Sequence, residues 1–162
     1  MTRAGLGLDF HRLEEGEDLV LGGVTYEHSR GTVAHSDGDV LTHAICDALL
    51  GAADLGDIGV HFPDHDPAYE GISSLKLLER VRDRVAREGF EIVNVDSTLI
   101  IQEPKLGSSR EEMVDNLEEV LEVPVNIKAT TTERLGFIGR EEGVGAQAIT
   151  MLREIEPKDL SR

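Results

Sequence analysis

The sequence predicts an α+β domain: a mixed, mostly antiparallel sheet of four main strands with helices on one face, plus a small N-terminal hairpin. Three observations carry this prediction. Apolar, β-branched stretches at residues 3–11, 90–102, 123–131 and 144–152 read as strands. Three stretches with apolar residues at helical spacing lie between them. At 162 residues the chain suits one domain with a proper core and is too short for two, so residues 1–155 are taken as that domain and 156–162 as a charged tail.

In chain order, residues 3–11 open the sheet. Asp9 and His11 are two apart, so both project from one face of that strand while Leu8 and Phe10 point to the other. Leu19-Val20-Leu21 and Val24-Thr25-Tyr26, joined by Gly22-Gly23, form a hairpin, a satellite of the first strand. A helix follows, capped by Ser36, Asp37 or Asp39 and closing between Gly51 and Asp54. Its core stripe is Val40, Leu41, Ala44, Ile45, Ala48 and Leu49, and Asp39, His43 and Asp47, spaced four apart, share another stripe. Residues 56–67, rich in Gly, Pro, Asp and His without a period, read as an ordered functional loop.

Ser73 or Ser74 starts a second helix through Leu77, Leu78, Val81 and Val85, ended by Gly89. The long strand at 90–102 is stopped by Glu103-Pro104-Lys105-Leu106-Gly107, and Ser109 with Glu112 matches a capping box for the third helix. Two further strands complete the sheet, and from Glu154 onward the chain reads as a loose tail. A sheet covered on one face has another to bury, which points to oligomerisation.

The balance of 32 acidic against 16 basic residues gives a formal charge of −16, which disfavours nucleic acid and anionic membrane surfaces as partners. An anionic ligand must then be held by metal ions, backbone N–H groups and local cations. The acidic helix faces fit either an ordinary solvated surface or adaptation to high salt. The lone Cys46 reads as a small core residue and forms no internal disulfide, the N-terminus lacks a signal-type apolar stretch, and no apolar run spans a bilayer. A cytoplasmic location is the expectation.

Two constellations carry chemistry. Asp9, His11 and His43 offer two imidazoles and a carboxylate, a set that suits tetrahedral zinc with its fourth position open; spacing alone leaves open histidines satisfied by ordinary core or surface partners. Asp39 or Asp47 could orient His43 or simply cap and decorate the helix. The run Thr130-Thr131-Thr132-Glu133, preceded by Lys128, offers hydroxyls, backbone amides and a carboxylate to a phosphate-bound divalent ion, or is a plain strand end. The loops at 57–66 and 104–107 could hold a ribose and a base edge, and His61 and His65 are further candidate ligands that read more readily as loop-stabilising.

Taken together, Gly7-Leu8-Asp9-Phe10-His11, His35-Ser36-Asp37-Gly38-Asp39-Val40, Gly56-Asp57-Ile58-Gly59, Phe62-Pro63-Asp64, Pro104-Lys105, Lys128-Ala129-Thr130-Thr131-Thr132-Glu133 and Leu135-Gly136-Phe137 closely resemble, in order, the 2-C-methyl-D-erythritol 2,4-cyclodiphosphate synthase family. The resemblance implies a phosphorus–oxygen lyase of non-mevalonate isoprenoid biosynthesis that releases CMP from a cytidine-diphosphate substrate. It implies zinc on Asp9, His11 and His43, and magnesium or manganese with Glu133. His35 and Thr131 would stabilise the transition state. Asp9, Phe10, His11 and Ile58 would contact substrate, His35, Ser36, Phe62, Pro63, Asp64, His65 and Asp66 would line the methylerythritol side, and Asp57 and Gly59 would hold the ribose. Ile101, Gln102, Glu103, Pro104, Lys105, Leu106 and Gly107 would hold the cytosine, and Thr130, Thr131, Thr132 and Glu133 the diphosphate.

The resemblance also implies a homotrimer with sites between subunits and with the open face of the sheet buried. Phe137 and Arg140 would lie near the axis, where a prenyl diphosphate fits. After Pro104-Lys105 the family usually carries Pro-His, whereas here Leu106-Gly107 follows. Two other readings of the same residues are a zinc phosphoesterase acting on nucleotide diphosphates and a non-catalytic trimer that binds prenyl diphosphates.

Overall fold

The computed structural model describes residues 1–155, so the tail at 156–162 lies outside the described residues. Strand β1 (Thr2–Glu15) pairs antiparallel with β7 (Gly143–Glu154), β7 with β5 (Phe90–Ile100), and β5 runs parallel to β6 (Val125–Thr130). A short strand, β4 (Arg30–Thr32), extends the far edge through Leu13 to Glu15, so the sheet has five strands in the order β4-β1-β7-β5-β6 rather than the expected four. Arg-Gly-Thr has no apolar alternation, and it is a strand only because β1 continues past the expected end at His11 to offer it an edge. Glu154, assigned to the tail from sequence, is the last residue of β7 and pairs with Phe90.

Helices α1 (Val40–Ala52), α3 (Ser74–Arg87) and α4 (Ser109–Leu121) supply the helical layer; the 56–67 loop contains a single-turn helix, α2 (Ile58–His61), and a fifth, α5 (Gly136–Gly139), precedes β7. The expected capping box at Ser109 does not form, because Ser109 is already inside α4 and Ser108 at the cap makes no side-chain bond. The contact that positions the site is between α1 and β1. Gly5 and Gly7 face the helix, and a Cβ on Gly7 would stand 1.9 Å from the Ala44 carbonyl oxygen. Glycine on the strand and alanine on the helix let the two backbones touch. Alternation does the rest: Asp9 and His11 continue the glycine face, while Leu6, Leu8 and Phe10 are left 49–56% exposed on the other face with Ile149 and Met151.

The hairpin of β2 (Leu19–Leu21) and β3 (Val24–Tyr26) forms its own two-stranded sheet. It is more than a satellite of β1. Gly22 and Gly23 have φ of 55° and 75°, and their N–H groups donate to the two carboxylate oxygens of Asp39 at 3.0 and 2.8 Å. Asp39 also caps α1, accepting from the Thr42 N–H and hydroxyl at 3.1 and 2.7 Å, so one buried carboxylate ties the hairpin to the head of the helix. Burial pushes its pKa up, against the opposing pull of the Thr42 hydrogen bonds.

Candidate active site

β1 and α1 bring Asp9, His11 and His43 together. His11 Nε2 lies 2.7 Å from Asp9 Oδ2, His43 Nδ1 lies 3.1 Å from the same oxygen, and the two ring nitrogens are 3.1 Å apart. The outer ring atoms settle what these inner atoms offer. His11 Nδ1 faces the Val33 carbonyl at 3.3 Å, and a carbonyl only accepts, so Nδ1 carries the proton and Nε2 presents a lone pair. His43 Nε2 faces the hydroxyls of Ser74 at 2.8 Å and Ser36 at 3.1 Å.

His11 Nε2, His43 Nδ1 and Asp9 Oδ2 converge, and with a bare lone pair on each ring they offer a cation three ligand atoms. A tetrahedral ion with bonds of about 2.0–2.1 Å sets its ligands about 3.3 Å apart, close to the spacing here, so the donor set fits a small divalent metal with one open position. Without metal, a proton takes that role. Burial alone would raise the Asp9 pKa, but hydrogen bonds and charge from His11 and His43 hold it at about 2; burial alone would lower that of His11, but Asp9, with the Val33 carbonyl and the charge of Asp39, raises it.

The cluster opens into a cavity of about 460 Å³ lined also by His35, Ser36, Ile58, Gly59, Phe62, Pro63, Asp64 and His65. His35 Nε2 is bonded to the Asp66 carbonyl at 2.9 Å, which joins this histidine to the loop opposite. Asp57 caps α2 through the Val60 N–H, and Asp66 caps a single 3-10 turn (Pro67–Tyr69). His61 does not reach the cluster: its ring is held between the Leu55 carbonyl at 2.8 Å and Arg84 at 2.9 Å. His65 is exposed beside Asp64. Asp39 and Asp47 do not orient His43, for Asp39 caps α1 and Asp47 accepts from the Ile58 N–H at 2.8 Å, anchoring the loop. Sequence reasoning missed Ser74 and the use of Asp37 beside it, although both stood among the candidate helix caps.

The second constellation is elsewhere on the chain. Ile101, Gln102, Pro104, Lys105, Leu106, Thr130 and Thr131 line a separate cavity of about 260 Å³, with Glu103 and Gly107 in the turn that borders it. Beyond β6, Thr131 Oγ1 accepts from the Glu133 N–H at 3.0 Å, Glu133 and Arg134 are left-handed at φ 52° and 65°, and the Arg134 N–H donates to Gln102 at 3.2 Å. Thr132 bonds the Leu135 carbonyl, and Lys128 is paired with Asp96 on β5 rather than free for a phosphate. Along the sheet Asp9 pairs Ala146, Ala146 pairs Leu99 and Leu99 pairs Ala129. Three strand steps of about 4.8 Å therefore set Asp9 and Ala129, the residue before Thr130, about 14 Å apart across the sheet. Phe137 packs edge-on against Phe10 on the open face of the sheet, ring centroids 6.1 Å apart, and Arg140 makes a two-point ion pair with Glu142.

Comparison with known proteins matches residues 2–153 to the YgbB family. A 2-C-methyl-D-erythritol 2,4-cyclodiphosphate synthase of Agathobacter rectalis is 61% identical over 153 residues, 93% of this chain and 86% of its own, and that of Syntrophobacter fumaroxidans is 55% identical over 93% and 97%. Among solved structures, the bifunctional IspDF of Campylobacter jejuni superposes with a TM-score of 0.91 at 42% identity; 96% of this chain corresponds to 43% of that longer one. The CDP complex of Plasmodium falciparum IspF gives 0.82 at 32% identity, covering 96% and 97%. With the match running over nearly all the described residues, the chain belongs to the YgbB family, whose relatives here are 2-C-methyl-D-erythritol 2,4-cyclodiphosphate synthases.

Proposed function

We propose that this protein converts 4-diphosphocytidyl-2-C-methyl-D-erythritol 2-phosphate to CMP and 2-C-methyl-D-erythritol 2,4-cyclodiphosphate, the product its relatives are named for making. The observation that carries the reading is the convergence of ligand atoms of Asp9, His11 and His43 at the wall of a cavity. The 2-phosphate oxygen attacks the β-phosphorus, a P–O bond forms, and the bond from that phosphorus to the CMP oxygen breaks. The nucleophile belongs to the substrate, so the protein needs to align and neutralise rather than to attack. Zinc held by Asp9, His11 and His43, with magnesium or manganese at Glu133, would supply the positive charge for the phosphates. His35 and Thr131 would contact phosphate and stabilise the transition state, Ser36 and residues 62–66 would enclose the methylerythritol, Asp57 and Gly59 would hold the ribose, and Ile101 to Gly107 the cytosine.

The separation of about 14 Å across the sheet from Asp9 to Ala129, at the approach to Thr130 to Glu133, exceeds what one diphosphate can bridge, which supports sites shared between copies. The exposed Leu6, Leu8, Phe10, Ile149 and Met151 supply an apolar face for a homotrimer. A prenyl diphosphate near Phe137 and Arg140 would have to compete with Glu142 for the guanidinium. The test is CMP release from the substrate with and without chelator, the product followed by phosphorus NMR. A cyclic diphosphate in the metal-loaded wild type and none in His43→Ala supports the reading; a linear phosphate points to hydrolysis, and binding of prenyl diphosphate without any CMP release points to a binding protein.

A further inference from the structure

We infer that Asp37 and Ser74 form a relay that sets which nitrogen of His43 is available to a metal, making both positioning residues for the site; this rests on the metal reading of Asp9, His11 and His43. Ser74 is fully buried, and its hydroxyl lies between the Asp37 carboxylate, in a short hydrogen bond to Oδ1, and His43 Nε2 at 2.8 Å. An ionised carboxylate only accepts, so the Ser74 proton points at Asp37. The Ser74 oxygen must then accept from His43, and Nε2 carries the ring proton. His43 Nδ1 is thereby left bare, facing Asp9 and His11. Polar groups linked in series in a buried site hold one another's orientation more firmly than in water.

The sequence supplies this arrangement from two distant segments. Asp37 N–H donates to the Ile72 carbonyl at 3.1 Å and Gly71 N–H to that of His35 at 2.8 Å, which lays residues 35–37 against the start of α3. Ser73, at the cap of α3, makes no side-chain capping bond, and Asp37 Oδ2 accepts from the Ser74 N–H at 2.9 Å instead. The same carboxylate thus caps one helix and orients a histidine on another. A capping role alone is separable from the relay, because Ser74→Ala keeps the N–H that Asp37 caps and removes only the hydroxyl.

The experiment measures zinc affinity by chelator competition for wild type, Ser74→Ala and Asp37→Asn, together with histidine 15N spectra of the metal-free proteins at a pH where both rings are neutral. The relay predicts the Nε2–H form of His43 in wild type. It predicts a shift toward the Nδ1–H form in Asp37→Asn, whose amide can donate to the hydroxyl and reverse it. Both variants should bind zinc about 10–100-fold more weakly. Variants with wild-type zinc affinity and a wild-type thermal midpoint would overturn the relay. If a variant does not fold, the wild-type spectrum still decides, since an Nδ1–H His43 contradicts it. A wild type that takes up no zinc yet shows the Nε2–H form would instead overturn the metal reading.

Discussion

Asp9, His11 and His43 line a cavity with both imidazoles anchored from behind, by the Val33 carbonyl and by Ser74, whereas Thr131, Thr132 and Glu133 form a turn beyond the end of β6 in which the threonines are half-buried and Glu133 is exposed. The first constellation is built by packing: Gly7 against Ala44 brings a strand and a helix within backbone contact, and the ligands follow from the alternation of one and the first turn of the other. The second is built by local backbone geometry, with two successive left-handed residues and a hydroxyl that accepts from the Glu133 amide. A cluster preorganised within one chain can bind an ion alone. The Glu133 turn would gain its counterpart from another copy, which is how the proposed site shared between subunits would divide its labour.

Breaking the packing that makes the first half should have the largest effect. Gly7→Ala forces a methyl against the Ala44 carbonyl and is expected to cost about 3 kcal/mol or more, with zinc binding lost alongside the fall in thermal midpoint. Glu133→Gln touches only the second half. Its expected outcome is a loss of CMP release of about 100-fold with zinc stoichiometry and thermal midpoint unchanged; loss of zinc as well would erase the distinction between the halves.

The pH dependence is smaller and belongs to the first half alone. Because the His11 pKa is raised, a proton on that ring competes with zinc up to a higher pH than on a free imidazole. Zinc affinity should fall by about tenfold for each pH unit below the folded His11 value and level off above it, with Asp9, at about 2, already ionised throughout. The metal-free fold behaves in the opposite sense. The His11–Asp9 pair contributes its full stability below the ordinary histidine value of 6.5 and loses it as pH rises through the raised one. Titrations of zinc affinity and of thermal midpoint against pH would check both slopes.

What was legible in the sequence follows from periodicity. The two-residue spacing of Asp9 and His11 put them on one strand face, and the apolar stripe of α1 placed His43 near its start. Spacing could not say that the strand and helix meet there, since that depends on the Gly7–Ala44 contact; the family resemblance supplied it. Asp39 and Asp47 share a stripe with His43 and drew attention for that reason, yet each answers a backbone donor from another segment. Asp37 and Ser74, 37 residues apart, have no periodic relation to betray them. β4 escaped because three polar or small residues become a strand only beside the overhang of β1.

The central claim, that the His43 half and the Glu133 half meet across subunits, is tested most directly by mixing two inactive variants. His43→Ala and Glu133→Gln proteins, each nearly inactive alone, are unfolded together, refolded in equal amounts and assayed for CMP release. Sites shared between neighbouring copies predict recovery of about a quarter of wild-type activity, because random assembly pairs an intact zinc half with an intact Glu133 half at about that frequency. Activity no higher than that of the variants alone would contradict the account and require both halves to come from one chain.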